Sequence, residues 1–541
     1  MISLRTWKQS SKAGALGLLL LLGSVVTSRG LQVQSADQKN LTGHSIPSVG
    51  DDWPTFNGDY SGRRYSLLTQ INKSNVGSLK LAWAFQTHAV TLKATPLLVK
   101  GILYFSVPNH VWAIDGKTGA EIWEFQRSSE GDDIGSRGVG FYQDRIYFGT
   151  PDAHILCLDA RNGKKIWEVT VEDVKFGYYI SAAPLIIKGL VIFGTSGDSA
   201  DIKHFVVALD WRTGKVVWKT ATTPEPGTPE AKTWPNADAM NHGGGPAWLT
   251  ATYDPSLNLI YLGTGNPHPV LAGGGRAGDN LYTCSILALN PDTGTIAWYF
   301  QESPHDTHDW DAVETPVLFE AKFHGTSRKL LAQASRNGYF FVLDRVTGQN
   351  LLTVPFVAAN WATRIGAKGA LVPDPAKMPQ PDGALIHEAE DGATTWMAPS
   401  FDPSSGLFYV TAWRGYSFWY LITGPDNRPT NHQGGGSIPL AASTVLLALD
   451  YQTGKIRWQR ESGRGMNSIG ILTTAGGLLF TADGNGNLLA LDSSDGRVLW
   501  HTRPGGVSHD VSPITYQIDG TQYVVTGVDG VMYAWTLKGS L

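Results

Sequence analysis

The segment PHDTHDWDAVET, residues 304–315, holds a dense group of side chains that could do chemistry. Asp309 and Asp311 are two residues apart, so on an extended chain their carboxylates face the same side. Two like charges so close are costly unless a cation lies between them or one carboxyl keeps its proton. Oxygen ligands of this kind favour a hard cation such as Ca²⁺, and a trivalent ion more strongly. The segment therefore predicts a metal site, with a solvated acidic loop as the alternative.

Two glycine-rich segments offer further groups at places where a strand ends. Asn266 follows the Gly-Thr-Gly turn of LIYLGTGNPHP, where it either forms a turn or presents its amide oxygen to a metal. Trp248 follows the glycine run of NHGGGPAWLT, which lets the backbone approach a flat ligand closely. The indole there would either stack on that ligand or fill the core.

Two arginines occupy predicted loop positions. Arg137 lies in GSRGVGFYQDRIYFGT and Arg336 in QASRNGYFFVLD. A planar guanidinium suits flat, oxygen-bearing groups such as carboxylates. Each arginine is therefore a candidate binding residue, and ordinary surface charge is the alternative.

A repeated phrase indicates the elements that must position these groups. An Asp, a turn containing Gly, and a Trp eight residues after the Asp recur at residues 115–123, 159–167, 210–218, 450–458 and 492–500. Residues 290–298 keep the spacing with Asn first, and residues 344–352 keep the turn but end in Leu. Apolar runs on both sides of each turn are typical of β-hairpins. Such a unit buries its apolar face only by stacking on its neighbours.

Trp83 in LKLAWAF adds one more anchor ahead of the seven repeats. The sequence therefore predicts an all-β fold, an eight-bladed β-propeller with Trp-docking repeats. We expect an early strand to join the C-terminal strands of YVVTGVDGVMYAW, because a closed ring leaves no sheet edge exposed. The chain between residues 210 and 290 and between residues 344 and 450 exceeds what a blade needs. The excess is expected to form loops on one face, where chemistry usually occurs.

The N-terminal residues are typical of a secretory signal. Arg5, Lys8 and Lys12 precede an apolar run over residues 13–26 that is too short to span a bilayer. Cleavage is expected near Ser28 or Ala36, and a buried helix is the alternative. We therefore expect residues 1–36 to be a signal peptide and leader. The mature protein is then exported, to the periplasm if the source is Gram-negative, and does not span a membrane.

Residues 37–541 are expected to form a single propeller domain, because the repeat overrides the domain count that length alone suggests. The net charge of −4 without a basic block argues against a nucleic-acid partner. Cys157 and Cys284 lie in hydrophobic strand patterns, which favours buried free thiols, with a disulfide between them as the alternative. No CxxCH motif is present, so no covalent haem is predicted.

Several motifs together resemble those of the quinoprotein alcohol dehydrogenases. They are the repeat, WPTFNGDYSGRRYSLLTQINKSNVGSLKLAW, GTGNP, GDNLYTCSILALN and PHDxxD. The resemblance runs from about Trp53 to Lys538, and the order and joint presence of the motifs make it specific. It implies an eight-bladed propeller that holds pyrroloquinoline quinone (PQQ) and one metal ion on its axis.

The resemblance implies cofactor-binding roles for five residues. Trp248 matches the tryptophan that forms one wall of the quinone site. Arg137 matches an arginine that binds quinone carboxylates, and Ser181 and Ser196 match hydroxyl positions on the cofactor rim. Arg336 matches the basic residue that contacts the quinone carbonyl.

The resemblance also implies a metal site and a catalytic base. Asn266 matches the metal-binding asparagine, and Asp309 matches the catalytic aspartate beside the metal. Asp311 matches the extra acid of the lanthanide-using branch, so the metal is expected to be a lanthanide or Ca²⁺. The family's metal-binding glutamate falls on Ser199, although Asp198 and Asp201 are close by.

Two further departures mark this chain as divergent. The adjacent cysteines that cover the other quinone face in the family should lie near Gly131 and Asp132, and both are absent. An asparagine expected near Thr395, in the TTW stretch, is also missing.

The implied function is oxidation of an alcohol or other hydroxyl substrate. Asp309 would take the hydroxyl proton, hydride would pass to the metal-polarised quinone, and Arg336 would support the charge on its oxygens. Electrons would leave to an external acceptor such as cytochrome c. The alternative is a non-catalytic propeller that acts as a protein-binding scaffold in the cell envelope. The departures favour that scaffold and the joint retention of the site residues argues against it; an aldose substrate stays open.

Overall fold

Strands make up nearly all of the regular structure in the computed structural model, which describes residues 50–89, 92–129, 135–197, 202–422, 433–464, 470–506 and 510–538. In chain order the strands are β1 Tyr65–Ser66, β2 Lys80–Gln86, β3 Leu97–Val99, β4 Ile102–Val107, β5 His110–Asp115, β6 Glu121–Gln126, β7 Gly140–Tyr142, β8 Arg145–Gly149, β9 His154–Asp159, β10 Lys165–Thr170, β11 Leu185–Ile187, β12 Leu190–Gly194, β13 Phe205–Asp210, β14 Val216–Ala221, β15 Thr252–Asp254, β16 Leu259–Gly263, β17 Ser285–Leu289, β18 Ile296–Gln301, β19 Val317–Phe323, β20 Thr326–Ala334, β21 Tyr339–Asp344, β22 Gln349–Pro355, β23 Ala362–Ile365, β24 Leu371–Pro373, β25 Ala384–His387, β26 Ser400–Asp402, β27 Leu407–Leu421, β28 Gly435–Asp450, β29 Ile456–Arg464, β30 Leu472–Thr474, β31 Leu478–Ala482, β32 Leu488–Asp492, β33 Val498–Thr502, β34 Ile514–Ile518, β35 Thr521–Val528 and β36 Val531–Thr536.

Helices are few and short in the described part of the chain. The α-helix is α1, Ala237–Asn241. Short 3₁₀ helices cover Val76–Ser78, Val174–Phe176, Glu230–Thr233, Gly273–Arg276, Ala367–Gly369 and Pro375–Lys377. The all-β class predicted from the sequence is confirmed.

The strands of the described residues form six four-stranded sheets, two five-stranded sheets and one two-stranded sheet, β23–β24. Five of the four-stranded sheets are made of consecutive strands, namely β3–β6, β7–β10, β11–β14, β15–β18 and β19–β22. Within each of these sheets, neighbouring strands pair antiparallel, as expected for a chain of hairpins. Between the sheets lie cores of fully buried Leu, Ile, Val and aromatic side chains.

Each repeat forms the turn that its Asp and Gly predict. In the third repeat, Asp210 Oδ1 accepts a hydrogen bond of 3.1 Å from the Arg212 amide, which closes the turn after β13. Gly214 then takes a left-handed φ of +69°, which strains any residue with a side chain. The Trp167 ring of the preceding repeat covers this glycine, at 3.0 Å from where a Cβ would lie. The turn of this repeat and the tryptophan of the preceding repeat therefore pack against each other at Gly214.

The indole nitrogen completes this contact between adjacent sheets. Trp218 Nε1 of one repeat donates a hydrogen bond of 2.7 Å to the Pro291 carbonyl in the turn of the next. The same bond joins Trp83 to Gly116, Trp123 to Ala160, Trp167 to Trp211, Trp298 to Arg345 and Trp458 to Ser493. The predicted role of the tryptophans as docking anchors is confirmed.

The two ends of the described chain meet in one sheet. β2 pairs antiparallel with β36, with Ala84 opposite Tyr533, so the sheet order is β2-β36-β35-β34. β1 adds a parallel edge to β30 in another sheet. The prediction that an early strand joins the C-terminal strands is confirmed, and it removes an exposed edge.

The long interval before residue 450 differs from the expected loops. It contains the two-stranded sheet, β25, and two strands of 15 and 16 residues, β27 and β28. β27 alternates the buried Ser417 and Trp419 with the exposed Tyr416, and Trp419 meets the Trp310 ring edge-on at 6.4 Å. This interval therefore consists largely of paired strands, and one face of β27 packs over the segment of residues 304–315.

The described residues all belong to one compact unit, His44–Leu541. The predicted leader, residues 1–36, lies outside the described residues. Cys157 and Cys284 are buried and free, which confirms the free thiols over the disulfide. Searching the described part of the chain reveals no helix that is both long and apolar enough to cross a membrane.

Candidate functional site

The acidic segment of residues 304–315 is an irregular connection between β18 and β19 and not an extended strand. Asp309 has a left-handed φ of +63°, so simple alternation does not describe where its side chain points. The two carboxylates still meet at one cation. Arg336 Nη1 lies 3.4 Å from Asp309 Oδ2 and 3.5 Å from Asp311 Oδ2.

Asp306 holds this irregular segment in shape. Its two carboxylate oxygens accept hydrogen bonds from the amides of His308 at 3.3 Å and Trp310 at 3.2 Å. Burial raises the pKa of Asp306 to about 6, while the Arg276 guanidinium lowers it. His308 stacks on Trp310 at 4.3 Å, and burial lowers its pKa to about 4. These two residues therefore support the segment that carries Asp309.

Asp311 connects the acidic segment to two other parts of the chain. Its side chain is almost fully buried, and its Oδ2 accepts a hydrogen bond of 2.7 Å from Trp248 Nε1. Its Oδ1 accepts one of 2.6 Å from the Asn266 amide. Charge-assisted bonds of this kind fix both carboxylate oxygens of Asp311.

Arg336 provides a fixed positive charge beside the two aspartates. Its Nη1 donates to the Asp309 carbonyl at 2.5 Å, and its Nε donates to Thr395 Oγ1 at 3.2 Å. Burial acts to lower the pKa of the guanidinium, but Asp311 and Asp309 outweigh it and hold that pKa above its ordinary value. Arg336 therefore stays charged at any working pH. Thr395, where the resemblance expects asparagine, supplies a hydroxyl that orients this arginine.

Trp248 and Arg137 form a flat surface next to the aspartates. The Arg137 guanidinium carbon lies 4.5 Å from the centre of the Trp248 ring and 5.5 Å from that of Trp396. Trp248 is 7% exposed and packs with the apolar side chains of Phe56, Ala183, Leu249 and Val313. Part of the Trp248 ring therefore fills a core, and the ring also meets the planar guanidinium of Arg137.

Ser181 and Ser196 lie on the rim of that surface. Their hydroxyl oxygens are 3.0 Å apart, and Ser181 Oγ donates to the Trp248 carbonyl at 3.3 Å. The Arg137 amide donates to the Ser181 carbonyl at 3.0 Å. The four residues expected to bind one side of the cofactor therefore contact one another.

Asn266 supplies the most direct sign of a metal site. It is fully buried, its Nδ2 donates to the Pro267 carbonyl at 3.2 Å, and its Oδ1 has no hydrogen-bond partner. A buried amide oxygen left unpaired is costly unless a ligand satisfies it. Together with the carboxylates of Asp309 and Asp311, it forms an all-oxygen donor set that fits Ca²⁺ or a lanthanide.

This donor set is incomplete within the described residues, in which no group of three or more His, Cys, Asp and Glu side chains is placed to hold a metal. Ser199 lies outside the described residues, as do Asp198, Asp201, Gly131 and Asp132. A metal ion beside Asn266 would therefore need further oxygen ligands, for example from a bound cofactor.

The structure joins all the described candidate residues in one network of contacts: Arg137, Ser181, Ser196, Trp248, Asn266, Asp309, Asp311 and Arg336. Sequence reasoning did not assign a role to Trp396, which directly follows Thr395 and shares the Arg137 guanidinium with Trp248. It also gave none to Glu302 and Glu314, two acids buried behind the site.

Comparison with known proteins agrees with this geometry. The family model described as "Glucose/ethanol/alcohol dehydrogenase, beta-propeller domain" matches residues 53–366, and the one described as "Outer membrane protein assembly factor BamB" matches residues 441–540. The quinoprotein alcohol dehydrogenase PedH of Pseudomonas putida is 35% identical, over 88% of this chain and 86% of that protein. The quinohemoprotein alcohol dehydrogenase ADH IIB of Pseudomonas putida is 34% identical, over 90% of this chain and 74% of that protein.

Solved structures give the same result. The quinohemoprotein alcohol dehydrogenase from Comamonas testosteroni superposes with a TM-score of 0.84 at 31% identity, over 91% of this chain and 81% of that one. A europium-containing methanol dehydrogenase superposes with a TM-score of 0.82 at 29% identity, over 90% and 98%.

The fold and the site thus define a β-propeller dehydrogenase of the quinoprotein class. The chain belongs to the PQQ-dependent alcohol dehydrogenase family, as a divergent member. It is a PQQ-dependent, alcohol dehydrogenase-like oxidoreductase, and this membership implies PQQ and a metal ion as cofactors.

Proposed function

We propose that this protein oxidises an alcohol, or another substrate bearing a hydroxyl group, with Asp309 as the catalytic base. The observation that carries the proposal is the arrangement around Asp311. That carboxylate contacts Trp248, Asn266 and Arg336, and Arg336 also contacts Asp309. A flat aromatic surface, an unsatisfied metal-type oxygen and a carboxylate base are therefore held in one network.

Asp309 is suited to accept the hydroxyl proton. Its side chain keeps 17% exposure, whereas that of Asp311 keeps 2%, so of the two carboxylates Asp309 is the one a substrate can reach. Arg336 favours the ionised form of Asp309, which is the form that accepts a proton. Asp311, bonded through both oxygens, is suited to bind a cation rather than to exchange protons.

A bound PQQ would supply the hydride acceptor, with Lewis-acid support from a metal ion held by the residues named below. Trp248 and Arg137 would bind its flat ring system and carboxylates, with Ser181 and Ser196 on the rim. Arg336 holds Asp309 in place and supports negative charge that develops nearby. Asn266, Asp309 and Asp311 would hold the metal ion.

The charge of the site supports one choice of metal ion. Asp311 adds a second carboxylate beside Asp309, and a trivalent ion gains more from that extra charge than Ca²⁺ does. We therefore propose a lanthanide, with Ca²⁺ as the alternative.

We further propose that the eight sheets of four or more strands are the eight blades of the ring, closed by β2 and β36. The protein is proposed to be exported, with cytochrome c as its electron acceptor. One relative of this chain, 29% identical, is named a 1-butanol dehydrogenase (cytochrome c), which supports that acceptor. The scaffold alternative is not favoured, since the matched relatives are named as dehydrogenases.

The test replaces the base alone. Asp309→Asn keeps the size and the contact to Arg336 but cannot accept the proton, so dye-linked alcohol oxidation should fall by roughly 10²- to 10⁴-fold. The matched control is Asp238→Asn, whose side chain is 93% exposed in α1. Unchanged alcohol oxidation by folded, quinone-loaded Asp309→Asn protein would exclude Asp309 as the base.

A further inference from the structure

Two buried glutamates outside the proposed catalytic set have carboxylate oxygens without partners. Glu302 is 0% and Glu314 is 3% exposed. Glu302 Oε1 and both oxygens of Glu314 lack a hydrogen bond of good geometry. Buried polar atoms are rarely left unpaired, and buried carboxylates are among the most costly groups to leave so. Apart from the backbone amides of Glu314 and Arg336 near the Glu314 carboxyl, the described residues supply no partner for these oxygens.

Two neutral side chains, Gln333 and Ser335, lie beside Glu302. Gln333 Nε2 donates to the Ala312 carbonyl at 2.8 Å and contacts Glu302 Oε2 at 3.5 Å, while Gln333 Oε1 has no partner. The Ser335 hydroxyl lies beside the Glu302 carboxyl, and its oxygen also lacks a bond of good geometry. Both side chains are fully buried. All the unpartnered atoms of these four residues are oxygens.

Among the described residues, no basic side chain forms an ion pair with Glu302 or Glu314. Arg336 lies near Glu314 but makes its ion pairs with Asp309 and Asp311. Burial raises the pKa of Glu314 to about 8 despite that arginine. Burial, and then Glu314 itself, raises the pKa of Glu302 well above its ordinary value. Glu314 thus opposes the ionisation of Glu302, and a cation bound beside both carboxylates would relieve that repulsion.

We propose that Glu302, Glu314, Gln333 and Ser335 form a second metal site, separate from that of Asn266, Asp309 and Asp311, which takes Ca²⁺. The two carboxylates match the charge of a divalent ion. Five oxygens are available, three from carboxylates, one from an amide and one from a hydroxyl. This number approaches the six to eight that Ca²⁺ binds in proteins, and a backbone carbonyl or a water can complete it.

The composition of the site selects among cations. Mg²⁺ keeps several waters and demands a small octahedral shell, so a fully buried pocket of protein oxygens suits it poorly. Zn²⁺ favours nitrogen and sulfur ligands, and these four residues offer neither. A water cluster would satisfy the oxygens but would not offset the repulsion between two ionised carboxylates, as a cation does.

The site does not depend on the proposed oxidation of alcohols, and metal counting separates the two. Purified full-length protein carrying PQQ is freed of metal with a chelator, equilibrated with Ca²⁺, and analysed for bound metal and quinone. The wild type should bind two equivalents of Ca²⁺. Glu302→Gln/Glu314→Gln should bind one equivalent and keep its quinone. Asp309→Asn/Asp311→Asn should also bind one, with the remaining ion held by the glutamate pair.

A matched control replaces two exposed acids, as Glu121→Gln/Glu225→Gln, and should bind two equivalents. If the wild type binds one equivalent of Ca²⁺ and the Glu302/Glu314 variant still binds it, the second site is overturned and the first is left intact. If the wild type binds one equivalent of Ca²⁺ and only the glutamate substitutions remove it, the result supports the second site and counts against metal at the first.

Anomalous scattering from wild-type crystals grown with Ca²⁺ decides the matter if the glutamate variant fails to fold. A Ca²⁺ peak between Glu302 and Glu314 is expected. Water alone at that position, or two carboxyl groups sharing a proton, would overturn the proposal.

Discussion

Trp248 Nε1 donates a hydrogen bond of 2.7 Å to Asp311 Oδ2, which links the flat surface of the site directly to its acidic segment. Trp248 follows a glycine run before β15, and Asp311 lies between β18 and β19. The bond therefore ties the Trp248 ring, on which a flat cofactor would stack, to the Asp311 carboxylate, which would bind the metal. Ring binding and metal binding are expected to be coupled through this one contact.

Trp248→Phe should test that coupling. The substitution keeps an aromatic face but removes the only N–H of the ring, so Asp311 loses one charge-assisted bond. Such a bond is worth about 1.5–3 kcal/mol, which corresponds to roughly 10- to 100-fold weaker metal binding. Metal titration of the quinone-loaded protein measures it. The control, Trp218→Phe, removes a bond of equal length to a carbonyl between two sheets and should leave metal affinity unchanged.

Arg336→Lys should separate charge from geometry. Lysine keeps the positive charge but cannot donate to Thr395 and Asp309 at once, as the guanidinium does. We expect alcohol oxidation to fall by roughly 10- to 100-fold, equal to about 1.4–2.7 kcal/mol of lost stabilisation, while quinone content is kept. Steady-state kinetics and absorbance measure the two quantities. Wild-type rates in this variant would show that the charge of residue 336 suffices.

Gly294→Ala should weaken the contact between adjacent sheets. Gly294 has a φ of +74°, and a Cβ there would lie 2.6 Å from the Trp218 ring. The left-handed backbone alone costs about 1–2 kcal/mol for alanine, and displacement of the indole adds to it. Urea unfolding measures the loss. Gly274→Ala is the matched control, because its Cβ would meet nothing within 4 Å, and an equal loss there would contradict the docking account.

Glu388→Gln should change how stability depends on pH. Burial raises the pKa of Glu388 to about 9 from an ordinary value of 4.5, although Arg414 lowers it. The folded state then keeps the proton that the unfolded state loses. This raised pKa contributes stability that is fully present below pH 4.5 and is lost as pH rises through about 9. The free energy of unfolding then falls by at most about 1.4 kcal/mol per pH unit.

The glutamine side chain of Glu388→Gln stays neutral at every pH. Its stability should therefore exceed that of the wild type increasingly between pH 5 and pH 8, measured by urea unfolding at each pH. Glu121→Gln, at an exposed position, should follow the wild-type curve. Parallel curves for Glu388→Gln and the wild type would mean that Glu388 ionises normally in the folded protein.

The sequence was most informative where structure is local. The turn at Asp210 and Gly214 follows from a carboxylate that bonds nearby amides and from a glycine that accepts positive φ, so the hairpins could be predicted from spacing alone. The docking of Trp218 on the next repeat followed from the same regularity. Because the turn and its tryptophan recur along the chain, the prediction for one hairpin could be extended to the other sheets.

The site was less accessible from sequence. Alternation along an extended chain predicted that the carboxylates of Asp309 and Asp311 face the same side, and both do lie near Arg336. The reason was wrong, because Asp309 has a left-handed φ and the segment is not extended. Glu302 and Glu314 could not be recognised as buried, because their burial arises when separate sheets come together. Its residue type and loop position made Arg137 a candidate binding residue, and the resemblance to quinoproteins then placed it at the quinone.

The central claim is that the Trp248, Asn266, Asp309 and Asp311 network binds a quinone and a metal together. The most direct measurement is absorbance and metal analysis of the protein after loading with PQQ plus either Ca²⁺ or a light lanthanide. We expect one PQQ for each chain, retained with a lanthanide and lost on Asp309→Asn/Asp311→Asn substitution. Failure to retain quinone with either metal would exclude a joint quinone and metal site in this network.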